Sequence, residues 1–287
     1  MGDTGPQWRM VQHMKLIGFI ALLLFPCALR AEEADKPLEI ALISEAGGIS
    51  AGKTFFLGFH LKHPAGSHTY WKNPGIVGVP TTIEWELPPG FQAGEIQWPA
   101  PKLVNMAGHG AQGYEGETLL MIPITAPGEI AGASVKISAK ASWMCCGTGC
   151  NPAWKVPFHI TLPVGDVAAA DAANGPLFKK FRGQVPKSES GWKEIFAKRD
   201  GAKIVLTLDP VSRHPDPFPN LADIRFFTAD GQVDSGRKQE VRISAEGVIV
   251  MTMDASETAP KNPESLPGVV VIPTGKAPRL IEVDPRY

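Results

Sequence analysis

The sequence predicts an all-β protein, an antiparallel β-sandwich followed by a second, smaller β-sandwich-like unit. Three observations carry this. Short segments with period-two hydrophobicity recur along the chain, 27 prolines and 30 glycines punctuate them, and no stretch presents a convincing amphipathic helix.

The first 31 residues stand apart. Lys15 precedes a ten-residue apolar run, Leu16 to Phe25, and the acidic stretch E-E-A-D begins at Glu32. A basic flank, an apolar core and a cut after Ala31 describe a secretory signal peptide over residues 1–31. The run is shorter than the roughly 20 apolar residues of a spanning helix. Met14 is a second candidate start, and Cys27 leaves with the signal. Phe25 and Pro26 stand where a lipoprotein signal needs small residues. Without Arg9, Lys15, Arg30 and Asp3, the 28 basic and 29 acidic residues become 25 and 28, a net charge of −3. That balance lacks the basic footprint of a nucleic-acid-binding protein. Export places the mature chain where disulfides persist, and no later stretch is long and apolar enough to cross a bilayer.

The first domain is expected over residues 32–164. Its strands read as Leu38 to Ile43, Thr54 to Leu61, Ile83 to Leu87, Thr118 to Thr125, Ser134 to Trp143 and Val156 to Leu162, each bounded by Gly- or Pro-containing turns. Trp71, Trp85, Trp98 and Trp143 read as core residues, and His60 and His63 as solvated residues flanking a turn. Residues 165–176, small and aromatic-free, read as a linker. The second unit, 177–287, opens with a short helix over Leu177 to Arg182. It continues with strands at Lys203 to Leu208, Ile224 to Thr228, Glu240 to Ile243, Val248 to Met253 and Val269 to Ile272. His214, in the loop H-P-D-P-F-P, carries no evident chemistry. A spacer or docking role suits this cysteine-free unit.

The functional signal is W-M-C-C-G-T-G-C-N-P, Trp143 to Pro152, which holds all three cysteines left after signal removal. Gly147 and Gly149 can take positive φ and fold the chain back, bringing Cys146 and Cys150 within the Cα separation that a disulfide requires. A bridge closing so short a loop removes little entropy from the unfolded chain, which suits exchange better than stapling. Three cysteines is odd, so one thiol is free or pairs outside the chain. Cys145 has three readings: a small buried hydrophobe, an alternative partner for Cys150, or a third thiolate with Cys146 and Cys150 around a soft metal such as Cu(I). Strand alternation, which sends Cys145 and Cys146 to opposite faces, disfavours the last.

Beyond the cysteines, the runs S-H-T-Y-W-K-N-P-G-I-V-G-V-P-T (67–81), I-E-W-E-L-P-P-G-F, I-Q-W-P-A-P, G-Y-E-G-E (113–117) and W-M-C-C-G-T-G-C-N-P resemble the N-terminal periplasmic domain of the thiol:disulfide interchange protein DsbD. The ScsB-type branch is the nearer likeness, and the resemblance spans roughly residues 38–163. It implies an immunoglobulin-like fold whose paired cysteines take electrons from a membrane-embedded DsbD/ScsB-type donor and pass them to periplasmic thioredoxin-like oxidoreductases, with no cofactor beyond the disulfide. By motif, Cys146 and Cys150 are the redox pair, and Cys150 forms the mixed disulfide while Cys146 resolves it. The aromatic pair beside the bond falls on His68 and Tyr70. The cap loop falls within residues 104–113, just before Tyr114, with Met106 or His109 as the covering side chain. Cys145 departs from the pattern, which usually has an apolar residue there. No transmembrane or thioredoxin-like segment follows, so the donor is expected to be a separate protein. Lys140 and Lys155 flank the pair only at a distance, so a weakly activated disulfide is expected. The rival class is a non-catalytic module, either a copper-handling protein or a sandwich whose disulfide locks a hairpin.

Overall fold

The computed structural model describes residues 1–2, 37–165, 173–212, 220–275 and 277–287. The signal segment with Cys27, most of the expected linker and His214 lie outside the described residues. Everything placed is β apart from one short helix and a 3₁₀ turn at Leu221–Asp223.

The first half forms two antiparallel sheets. One contains β1 (Glu39–Ser44), β2 (Thr54–Lys62), β8 (Glu117–Thr125) and β5 (Gln92–Ala93), in the order β1-β2-β8-β5. The other contains β10 (Cys150–Pro163), β9 (Ser134–Cys146), β3 (His68–Tyr70), β7 (His109–Glu115) and β6 (Lys102–Met106), in the order β10-β9-β3-β7-β6, with β4 (Thr82–Glu86) also pairing β9. Alternate residues of both sheets meet in one core containing Leu57, Phe59, Leu61, Trp71, Leu120, Ile122, Ile137 and Ala139. Phe59 sits edge-on to Phe158 with ring centroids 5.1 Å apart, and Trp85 and Trp143 close around the same cluster. Burial of these rings accounts for much of the sandwich's cohesion.

The second half repeats the principle with less material. β11 (Trp192–Asp200), β12 (Lys203–Pro210), β15 (Ile249–Asp254) and β14 (Glu240–Ile243) form one sheet in the order β11-β12-β15-β14. β13 (Arg225–Thr228), β16 (Gly268–Ile272) and β17 (Arg279–Val283) form the other. They enclose Leu206, Leu208, Phe226, Met251, Val270 and Ile281.

The helix α1 (Gly175–Arg182) forms where the sequence places it, with Pro176 in its first turn, a position that loses no hydrogen bond. Its packing differs from the expectation that it opens the second unit. Phe178 and Phe181 bury against Leu119 and Met121 of β8, on the face of the first sandwich turned away from its core. The reason lies in β8 itself: both faces of T-L-L-M-I are apolar, so one needs a cover after the other fills the core. Arg182 adds a bidentate pair to Glu45 at 2.6 and 2.8 Å. Phe178→Ala is therefore expected to cost about 3–5 kcal/mol and to loosen the first sandwich. Urea unfolding followed by tryptophan fluorescence checks this; a loss confined to the second half would contradict the packing.

Candidate functional site

The longest ladder in the molecule, β9 against β10, runs from Ser134↔Pro163 to Cys146↔Cys150. The two cysteines are thus the last directly opposed pair before the turn, with Cα atoms 4.1 Å apart, and they form a disulfide. The strand continues past its expected end at Trp143 because the ladder continues. The turn closes by Gly147 N–H donating to Gly149 O at 2.8 Å. Neither glycine takes a positive φ, contrary to the sequence expectation. Glycine serves the turn in another way: a Cβ at 147 would lie 2.7 Å from Ser67 Oγ, so a larger residue would have to turn the Ser67 hydroxyl aside for the turn to nest against the residues leading into β3.

Pleat parity divides the surroundings. Cys146 is fully buried, among Tyr70, Val104 and Ala111, with Val77, Met106 and Met144 at the margin. Cys145 is also buried but faces the other way, lining a crevice of about 560 Å³ with Leu38, Pro64, Trp143, Thr148 and Asn151. It is a free thiol, and burial pushes its pKa up. The three sulfurs therefore do not converge on one point. Cys150 is the exposed partner, covered on one side by Met106, whose Sδ lies 3.7 Å from Cys150 Sγ. No proton is shared there, since the disulfide carries none; the contact is between two polarisable sulfurs.

Met106 belongs to a hairpin. The segment expected as a cap loop is the β6–β7 ribbon, turned by Ala107 and Gly108, both at positive φ. Gly108 N–H donates to Asn105 Oδ1 at 2.9 Å. This two-residue turn matches strand twist. His109, the other candidate for the covering side chain, starts the return strand and instead lines a crevice with Gly236, Arg237 and Asp254 of the second half. Tyr114 also lies away from the disulfide. It shares the face of Gln112 rather than that of Ala111, so it enters the sandwich core and donates its hydroxyl to Pro99 O at 2.7 Å.

His68 and Tyr70 are both buried, their rings edge-on at 5.2 Å and Nε2 and OH 3.3 Å apart. His68 stands directly opposite Cys146 across β3–β9. Burial lowers the His68 pKa, only partly offset by Glu115, and raises that of Tyr70. The imidazole is therefore neutral at pH 7 and supplies no cation to the sulfurs. Lys155 pairs with Glu84 and Lys140 with Glu86 on the sheet face. A bulge that sets Lys155 at positive φ lies between the disulfide and the rest of the ladder. His63 is not solvated as expected: Nδ1 donates to Gly116 O at 2.7 Å, leaving Nε2 to accept from Thr69 Oγ1 at 2.9 Å. His60 pairs with Glu117. Val77, Val104 and Ala111 wall the Cys146 pocket; the last two fall within the expected cap segment, but the sequence reading singled out none of the three for this role. Period-two counting could have found Ala111; Val77 lies in irregular chain and had no signal.

Fold and site together define a class: immunoglobulin-like β-sandwich domains that hold a disulfide at the exposed end of a sheet-edge hairpin, beneath a cap. Within that class, residues 43–156 match the family described as thiol:disulfide interchange protein DsbD, N-terminal. The crystal structure of the N-terminal periplasmic domain of ScsB from Proteus mirabilis aligns with a TM-score of 0.61 at 14% identity, covering 87% of this chain and 94% of that one. The likeness in fold thus extends through both halves. No curated protein sequence matches the chain.

The buried histidines set a pH dependence. His63 and His68 both have folded-state pKa values lowered from 6.5, in each case chiefly by burial. Below that value the unfolded chain binds protons that the folded chain refuses, so stability is full above it and is lost as pH falls. The urea midpoint should drop between about pH 7 and about pH 5, and His68→Phe should flatten the slope. An unchanged slope in that variant would contradict a buried neutral imidazole.

Proposed function

We propose that this chain is a periplasmic thiol–disulfide exchange protein that relays reducing equivalents through Cys146–Cys150, taking them from a membrane-embedded donor of DsbD/ScsB type and passing them to thioredoxin-like oxidoreductases. The observation that carries this reading is the asymmetry of the pair: an exposed Cys150 joined to a wholly buried Cys146. The family of residues 43–156 and the signal-like N-terminal sequence support the same role and compartment.

A donor thiolate attacks Cys150 Sγ, the exposed sulfur of the pair, in line with the disulfide. The S–S bond breaks, a mixed disulfide forms between donor and Cys150, and the electron pair leaves on Cys146 Sγ. The donor's second thiol then attacks its own mixed-disulfide sulfur and releases the Cys150 thiolate. Two electrons have entered the pair, and the donor has become a disulfide. Delivery reverses the roles: the Cys150 thiolate attacks an acceptor disulfide, and Cys146, deprotonated on leaving its apolar pocket, displaces the acceptor as a dithiol. With the flanking Lys140 and Lys155 paired to Glu86 and Glu84, the pair depends on the partner's nucleophile for the first step. Met106 must move aside for that attack.

Trapping tests the assignment. Cys146→Ser, mixed with the disulfide form of a thioredoxin-like oxidoreductase, should accumulate a stable mixed disulfide at Cys150, seen as a reducible crosslinked band. Cys150→Ser should give little or none, because Cys146 is enclosed, and Cys145→Ser should turn over as the unmodified protein does. Equal crosslinking through Cys146 and Cys150, or dependence on Cys145, would contradict the relay.

A further inference from the structure

One carbonyl of the second β unit ties down two segments beside the disulfide. Thr228 O, at the end of β13, accepts from Asn73 Nδ2 and from Gln112 Nε2, each at 3.0 Å. The same Gln112 amide donates to Asn73 O at 2.7 Å, and the Gln112 backbone bonds to Pro74 O and Trp71 N. Gln112 lies on β7, the inner strand of the ribbon that carries Met106. Asn73 opens the loop that brings Val77 to the Cys146 pocket. Both covers of the disulfide are thus tied to a single point on the second unit. That point is itself fixed, since Thr228 Oγ1 donates to Asp230 Oδ1 and accepts from Gln232 N.

A second contact braces the ribbon tip. Gly110 and Gly236 meet backbone to backbone: a Cβ on Gly110 would lie 2.5 Å from Gly236 Cα, and one on Gly236 would lie 3.1 Å from Gly110 Cα. Asp234 holds the Gly236 turn by accepting from Gly236 N and Arg237 Nε, both at 3.1 Å. The ribbon needs such support. Among the described residues, β6 pairs only with β7, and β7 pairs with β3 over Gly113–Glu115 alone. A two-stranded extension of this kind is marginal in isolation.

We propose that Gln112 and Asn73 are positioning residues for the exchange reaction. With the Gly110–Gly236 contact, they clamp the cap ribbon and the 73–78 loop onto the second unit, which thereby sets how readily Met106 uncovers Cys150. This rests on reading Cys146–Cys150 as an exchange disulfide, and it gives the cysteine-free half a part in that chemistry.

Gln112 also supplies a clean test. Its Oε1 is buried with no hydrogen-bond partner, an unfavourable state that an apolar isostere removes. Gln112→Met keeps the volume and deletes only the clamp's donors. The full chain is reduced with dithiothreitol, whose two thiols become its cyclic disulfide while the protein bond takes up two electrons. Alkylation and intact-mass measurement give the rate, and the thermal midpoint is recorded in parallel. Gln112→Met and Gly236→Ala should each be reduced several-fold faster than the unmodified protein, the former with a midpoint near the original. Leu206→Ala, in the second unit's own core, should lower the midpoint and leave the rate unchanged below the unfolding range. Unchanged rates in both clamp variants, or equal acceleration by Leu206→Ala, would overturn the proposal. Dithiothreitol needs no partner, so the outcome is separable from that of the trapping assay. A bond resistant in the unmodified protein but opened in the variants would support the clamp and contradict the exchange reading. Resistance in every form would overturn the clamp.

Discussion

The antiparallel register that sets Cys146 opposite Cys150 is the constraint on which the site depends. It is imposed from far away: the β9–β10 ladder spans both strands' full length, and its alternation is fixed by Ile137, Ala139 and Ala141 entering the core. A one-residue slip would bring those positions to the surface and move every side chain to the other face. The disulfide geometry is thus inherited from the sandwich core, and the short turn of Gly147, Thr148 and Gly149 has only to close it. Gly147 then lets that closed end lie against Ser67, which keeps β3 and its His68–Tyr70 pair beside the sulfurs.

The same parity gives three chemically similar residues three different environments. Cys146 faces an apolar pocket, Cys150 reaches the surface beside Met106, and Cys145 turns into the opposite crevice with its thiol held protonated by burial. Exchange chemistry needs one sulfur that can be attacked and one that can leave, and the edge hairpin supplies both from adjacent positions of one ladder. The surrounding cations contribute nothing direct, because Lys140 and Lys155 are occupied by Glu86 and Glu84. Protection of the bond falls to the hydrophobic cover, and that cover is braced by the hydrogen bonds that Asn73 and Gln112 donate to Thr228 O of the second unit.

Much of this was legible in the sequence. Segments with strong apolar alternation, such as the Ile83 to Leu87 run observed as Thr82–Glu86, read correctly because one face must be buried. The disulfide pair and the helix at Gly175–Arg182 were also readable locally. What escaped depended on distant partners. β11, W-K-E-I-F-A-K-R-D, is too charged to read as a strand and exists because β12 offers an edge. The family resemblance placed a cap loop over residues 104–113, whereas Ala107 and Gly108 close a ribbon there. Tyr114 and His109 were placed near the sulfurs by the family's cap-loop pattern, but parity sends one into the core and the hairpin turn carries the other toward Gly236. The hydrogen bonds of Asn73 and Gln112 to Thr228 cross more than a hundred residues and left no local pattern.

The most direct measurement is a glutathione redox titration of the purified chain, with alkylation and mass spectrometry identifying which cysteines change state. An exchange disulfide should titrate as a two-electron couple in the range of known exchange proteins, about −270 to about −120 mV. Cys146 and Cys150 should change together, while Cys145 stays reduced and unreactive throughout. A bond that remains oxidised below about −300 mV, or a titration in which Cys145 takes part, would contradict the relay and leave a structural disulfide at the end of a hairpin.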